Sequence, residues 1–167
     1  RICARYGAEP TFILASATVS EPGAAAGRLV CVPVSEVVAD GSPRGETAFV
    51  LWEPPLTRLR GEHGAPVRRT VTAESADLLA DLVVEDARTL AFHRSRRGAE
   101  LAAVLTKQAL SAVDPSLPRR VAAYRGGYLP EERRALEHDL QRGELLGLAT
   151  TTALELGVDV AGLDAVL

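Results

Sequence analysis

From Thr47 onward the sequence alternates short apolar runs with longer stretches whose apolar residues recur at helical spacing. The strands read as 47–52, 89–92, 121–124, 145–149 and 163–167. Between them, residues 72–85 read as a helix with Thr72 as its cap, 96–113 as a long Ala/Leu helix ended by Asp114-Pro115, and 130–142 as a helix opened by Pro130. A short helical turn follows at 152–156, and the Gly-, Pro- and Arg-rich stretch 56–69 reads as a loop. Short buried strands separated by helices predict an α/β fold, a parallel sheet flanked by helices. Ligands of such sheets gather at the carboxyl ends of the strands, so the polar residues that follow each strand are the ones to weigh.

Upstream the pattern is less regular. Residues 11–15 read as a buried strand stopped by Ser16-Ala17-Thr18, residues 22–29 as a short helix, and residues 30–38 as an edge or irregular strand broken by Pro33. Asp40-Gly41-Ser42-Pro43 is a turn cluster and the first candidate boundary. The chain has no Met and ends within an expected strand, which points to a piece of a longer protein.

Composition excludes several classes. Nineteen Lys and Arg against 22 Asp and Glu leave a net charge of −3, so a wholesale basic nucleic-acid binder is ruled out and any nucleic-acid contact must be local. No apolar run approaches the roughly 18–20 residues of a membrane helix. Two cysteines, Cys3 and Cys31, exclude a disulfide framework and a four-cysteine zinc site, and buried free thiols are the simpler reading. Asn is absent and Lys107 is the single lysine, the bias of a high-GC genome; each arginine therefore counts for less than usual.

Three strand ends carry compact polar groups: His93-Arg94-Ser95-Arg96-Arg97 after Phe92, Arg125-Gly126-Gly127 after Tyr124, and Thr150-Thr151-Thr152 after Ala149. In a parallel sheet they lie along one rim. They supply guanidinium groups, hydroxyls and glycines next to helix N-termini, an inventory suited to phosphate. Residues 88–97 and 119–128 hold arginines and no acid, a local positive edge of the kind that tracks a nucleic-acid backbone. Solvated arginines in an Arg-biased proteome are the plain alternative. There is no phosphate-binding GxxxxGK[ST] loop and no G-x-S-x-G elbow, and His63, His93 and His138 lack ligand spacing and read as surface or satisfied histidines. Trp52 reads as a packing residue rather than a base-stacking one.

The stretch Ala149-Thr150-Thr151-Thr152-Ala153-Leu154-Glu155-Leu156-Gly157-Val158-Asp159 resembles motif V of superfamily 2 helicases. Ser16-Ala17-Thr18 is similar to their motif III and Ala91-Phe92-His93-Arg94-Ser95-Arg96 to motif IV, with Tyr124-Arg125-Gly126-Gly127-Tyr128 resembling the segment between motifs IV and V. The ordered set covers residues 16–159. The stretch from Asp40 through Trp52-Glu53-Pro54-Pro55 resembles the interdomain connection of MrfA-like DNA repair helicases, although Glu53 stands where that group would carry an amide.

The resemblance implies a RecA-like fold with residues 1–40 ending a first lobe, 41–55 connecting, and 56–167 forming a second lobe truncated before motif VI. It implies that Ser16 and Thr18 couple nucleotide state to lobe movement. Arg94, Ser95, Arg125, Gly126, Thr150 and Thr151 would hold the nucleic-acid strand, and Gly157 and Asp159 would face ATP. Glu155 has no clear role. ATP and Mg²⁺ would be bound mainly by residues outside this chain, so the isolated chain is expected to be inactive. The implied partners are single-stranded or partly duplex DNA and the remaining helicase domains of the same protein, a bacterial, cytoplasmic repair enzyme. An RNA helicase lobe and a non-catalytic docking module derived from a helicase lobe stay open at this point.

Overall fold

A computed structural model describes residues 2–16, 19–39, 41, 45–154 and 162–167. They divide into two compact units, Arg1–Val50 and Leu51–Leu167.

In the first unit, α1 spans Ile2–Arg5 and α2 spans Pro22–Val30. Pro22 sits in the first turn of α2, where its missing N–H costs nothing. The free N–H of Gly23 donates instead to the Glu36 carboxylate at 2.8 Å. At the other end Cys31 takes a left-handed conformation (φ 61°) and donates its N–H to the Gly27 carbonyl. The strands expected at 11–15 and 30–38 do not form, nor does the one at 47–52. A strand needs a neighbour to pair its N–H and C=O groups, and among the described residues of this unit there is none. No described side chain here is buried. Cys3 and Cys31 are accordingly exposed thiols, not the buried ones expected.

The second unit begins with an antiparallel ribbon of β1 (Leu56–Arg60) and β2 (Pro66–Arg68), in the stretch read as a loop. Its turn uses positive φ at His63 and Gly64, and Thr57 Oγ1 donates to the Val67 carbonyl at 2.8 Å. Both strands are largely exposed, so no buried face imposes an apolar period on the sequence. Helix α3 runs Val71–Val84 and is capped by Thr70, whose Oγ1 accepts from the Ala73 N–H, rather than by Thr72.

The rest follows the predicted alternation: β3 (Thr89–Phe92), α4 (Arg96–Val113), β4 (Val121–Tyr124), α5 (Pro130–Gln141), β5 (Gly147–Thr150) and β6 (Ala165–Val166). The four strands form a parallel sheet in the order β4-β5-β3-β6. Period-two alternation splits its side chains between two cores. Ala91, Val121 and Ala149 pack with Leu79, Val83, Ala102 and Leu110 of α3 and α4. Leu90, Tyr124 and Leu148 pack with Leu140 of α5 and with Leu154. Small residues bring α3 and α4 close together, and Thr106 is buried at their contact, its Oγ1 within 3.1 Å of the Ala76 carbonyl and 2.8 Å of the Ala102 carbonyl.

Gly147 opens β5 because nothing larger fits. A β-carbon there would lie 3.0 Å from Val83 Cγ2, 3.1 Å from Val121 Cγ2 and 3.2 Å from Leu79 Cδ1. The Cα register of β5 with its neighbours runs from Gly147, with Leu146 already bonded to Thr89 and Arg120 through its backbone.

Candidate nucleic-acid interface

The register of the sheet decides what can converge. Phe92 pairs with Thr150, and Thr150 pairs with Tyr124, so β3, β5 and β4 end level with one another. The residues that follow them, His93 to Arg97, Thr151 and Thr152, and Arg125 to Gly127, share one rim. The N-terminus of α4 follows β3 at the same place, and a helix N-terminus carries partial positive charge.

Ser95 caps that helix, its Oγ accepting from the Gly98 N–H at 3.0 Å. The capped first turn fixes the direction of the amides of Arg96 and Arg97, which have no carbonyl four residues back to bond. Arg94, Arg96 and Arg97 are exposed and form no ion pair among the described residues. This run is the most accessible positive charge on the rim.

Arg125 is held more firmly. Its Nε lies 2.6 Å from Glu100 Oε1, on the first turns of α4, and its Cζ sits 4.8 Å from the centre of the Tyr128 ring. Gly126 is exposed, and a β-carbon there would meet only Ala153, at 3.7 Å. At Gly127 a β-carbon would come within 2.7 Å of Arg125 Nη1. Gly127 thus leaves the space that the Arg125 Nη1 group occupies.

The two threonines differ. Thr150 is fully buried and its hydroxyl donates to the Thr151 carbonyl at 3.0 Å, so that hydroxyl braces the loop. Thr151 is half-buried, and its Oγ1 accepts from the Ala153 N–H at 3.4 Å, leaving its own proton to a ligand. Of the remaining predicted residues, Ser16 is exposed in the first unit, whereas Thr18, Gly157 and Asp159, with Glu155, lie outside the described residues. Among the described residues no group of three His, Cys, Asp or Glu side chains is placed to hold a metal ion.

Two residues of this rim escape a reading of the sequence alone. His93, read as a surface or satisfied histidine, is buried beside Gly98, and its Nε2 has no hydrogen-bond partner. Burial pushes its pKa below the usual histidine value, so the ring is neutral near pH 7. Its position directly after an apolar strand is the signal for burial. Glu100 gives no such signal, because its partner lies on a different element.

The positive edge read from residues 88–97 and 119–128 divides in two. Arg88 and Arg120 precede β3 and β4 and so lie at the amino rim, opposite Arg94 and Arg125. Trp52 makes the structural contact expected of a packing residue, its indole N–H donating to Glu74 at 3.0 Å, and Glu53 pairs with Arg68 at 2.6 Å.

Residues 74–167 match the helicase conserved C-terminal domain family. The chain is 36% identical over 164 residues to the ATP-dependent helicase YprA of Bacillus subtilis, covering 98% of this chain and 21% of that protein. It is 38% identical over 138 residues to the ATP-dependent helicase HRQ1 of Saccharomyces cerevisiae, covering 80% of this chain and 12% of the relative. The crystal structure of the DUF1998 helicase MrfA bound to DNA and AMPPNP superposes with a TM-score of 0.85 and 34% identity, covering 99% of this chain and 22% of MrfA. The chain thus spans about a fifth of YprA and of MrfA.

Proposed function

The chain belongs to the helicase conserved C-terminal domain family, within the superfamily 2 helicases, and from that premise we propose that it is part of an ATP-dependent DNA helicase that moves along single-stranded DNA. In this reading residues 1–40 end the first RecA-like lobe, 41–55 connect, and 56–167 belong to the second lobe. The carboxyl rim of the sheet grips the strand backbone. Arg94 and Arg125 supply charge, Ser95 and Thr151 hydroxyl contacts, and Gly126 an exposed backbone approach, while Thr150 braces the loop from beneath. Each contact is indifferent to base identity, which is what a translocating motor requires.

The observation that carries the reading is the level register of Phe92, Thr150 and Tyr124, which aligns the polar strand ends beside the start of α4. Similarity to MrfA, solved with DNA, favours DNA over RNA as the strand.

On the nucleotide side, Gly157 and Asp159 would face ATP at the lobe interface, with Mg²⁺ held by residues elsewhere in the protein, and Ser16 and Thr18 would relay nucleotide state between lobes. ATP supplies the free energy for lobe closure, a hinge motion that becomes a step along the strand. A role in DNA repair in a bacterial cytoplasm belongs to the same proposal, on the resemblance of the stretch from Asp40 to Pro55 to the interdomain connection of MrfA-like DNA repair helicases.

The test uses the full-length protein. Asp159→Ala is expected to abolish DNA-stimulated ATP hydrolysis with an unchanged melting temperature; near-normal unwinding by that variant refutes the nucleotide-side assignment. The purified 167-residue chain is expected to hydrolyse no ATP, and Mg²⁺-dependent turnover by it would overturn that part of the reading.

A further inference from the structure

We infer that Glu100 and Tyr128 are positioning residues that hold the Arg125 guanidinium ready for a strand phosphate, so that the rim binds single-stranded DNA with one arginine already ordered. The inference rests on the reading of the carboxyl rim as the strand-backbone site.

A long arginine side chain on an open loop samples many rotamers, and a ligand that captures it must offset that lost freedom. Arg125 is held from two sides: Glu100 Oε1 lies 2.6 Å from its Nε, and the Tyr128 ring lies under its Cζ at 4.8 Å. Gly127 leaves the space its Nη1 occupies, since a β-carbon there would come within 2.7 Å of it. The Nε atom is shielded from solvent and forms no aligned hydrogen bond, so Glu100 holds it through charge at close range, while the side chain as a whole keeps 31% of its surface. With the carboxylate beside Nε, Nη1 and Nη2 remain for a ligand, the pair whose geometry suits a phosphate. Glu100 projects from α4, whose N-terminus opens on the same rim, and Tyr128 closes the turn after β4, its N–H donating to the Arg125 carbonyl at 3.2 Å. A helix, through Glu100, and a hydrogen-bonded turn, through Tyr128, therefore flank one guanidinium.

The sign of one substitution separates positioning from ordinary electrostatics. Removing a carboxylate near a polyanion normally tightens binding, whereas removing a positioning carboxylate weakens it. The experiment measures the affinity of the full-length protein for a fluorescein-labelled oligo-dT strand by anisotropy across a salt series, with melting temperatures recorded alongside. Arg125→Ala is expected to weaken binding about tenfold and to make the salt dependence shallower by about 0.7. Glu100→Ala and Tyr128→Ala are each expected to weaken it roughly three- to tenfold, the cost of ordering one long side chain at the moment of binding. Tyr128→Phe, which keeps the ring face, should stay within about twofold of the parent, as the same ordering cost is then avoided.

Weaker binding by Glu100→Ala at unchanged melting temperature supports the inference. Unchanged or tighter binding by Glu100→Ala, with Arg125→Ala still weak, overturns it and leaves the rim reading intact. Normal binding by Arg125→Ala overturns the rim reading at this residue, and the inference with it.

Discussion

At the amino rim of the sheet, Arg120 reaches Asp86 at 3.1 Å and donates to the Gly143 carbonyl at 2.6 Å. Arg88 lies so close to Gly143 and Gly162 that β-carbons there would sit 3.2 and 3.1 Å from its Nη atoms. At the carboxyl rim, Arg94, Arg96 and Arg97 are exposed and form no ion pair among the described residues, and Arg125 is fixed with its Nη groups left over. The same residue type clasps turns at one end of the strands and presents donors at the other. The difference lies in what surrounds each end. The turn leading into β5 brings the Gly143 carbonyl to the amino rim for Arg120 to bond, whereas the start of α4 arrives at the carboxyl rim with open N–H groups, which repel a cation and attract an anion.

The comparison fails most visibly if charge at the carboxyl rim proves irrelevant. Reversing it with Arg94→Glu and Arg97→Glu in the full-length protein is expected to lower single-strand affinity by about two orders of magnitude at moderate salt, with melting unchanged. A change under threefold would mean that these arginines are only solvated charges.

Packing between the rims is tested by Gly147→Ala. Its β-carbon meets Val83, Val121 and Leu79 together, so overpacking of about 1–3 kcal/mol is expected in chemical denaturation. Wild-type stability would show that α3 yields easily.

Arg120→Ala sharpens the contrast from the structural side. It should cost about 1 kcal/mol, through the open Gly143 carbonyl, and leave DNA affinity unaltered. A loss of affinity without a loss of stability would assign the amino rim a binding role.

The smallest effect concerns His93. Above its ordinary value of 6.5 both folded and unfolded states hold it neutral. Below that value the unfolded chain takes up a proton that the buried ring refuses, so stability falls with pH from about 6.5 down to the depressed folded pKa. His93→Gln is expected to melt with a shallower decline between about pH 7 and 5.5, the window set by that value. An equal decline in both proteins would show that the ring finds a partner on protonation.

How much of this is legible in the sequence follows the same physics. Residues 89–92, 96–113 and 121–124 are expected with the bounds that the structure shows, because a strand buried on both faces and a helix buried on one leave apolar patterns of distinct period. The ribbon at 56–68 leaves none, being exposed on both sides. Residues 11–15 and 30–38 carry a strand-like pattern but form no ladder, since apolar character alone cannot supply the hydrogen-bonding neighbour.

At the site, the residues after each strand are the right ones to examine. Grouping arginines by sequence proximity misleads, because a parallel strand carries the chain from one rim to the other: Arg88 and Arg94 flank β3 and end up on opposite sides. The Arg125–Glu100 pair and the bracing role of Thr150 depend on side-chain direction across separate elements, which no local pattern encodes.

The measurement that bears most directly on the division between the rims is a salt titration of single-stranded DNA binding by the full-length protein. It compares Arg94→Ala/Arg125→Ala with Arg120→Ala. The double variant should bind at least about tenfold more weakly, with a salt dependence shallower by about 1.4, because two strand phosphates then keep their counterions. Arg120→Ala should keep the parent's affinity and slope while melting lower. A double variant with the parent's slope, or an Arg120→Ala protein with a reduced one, would contradict the assignment of strand binding to the carboxyl rim.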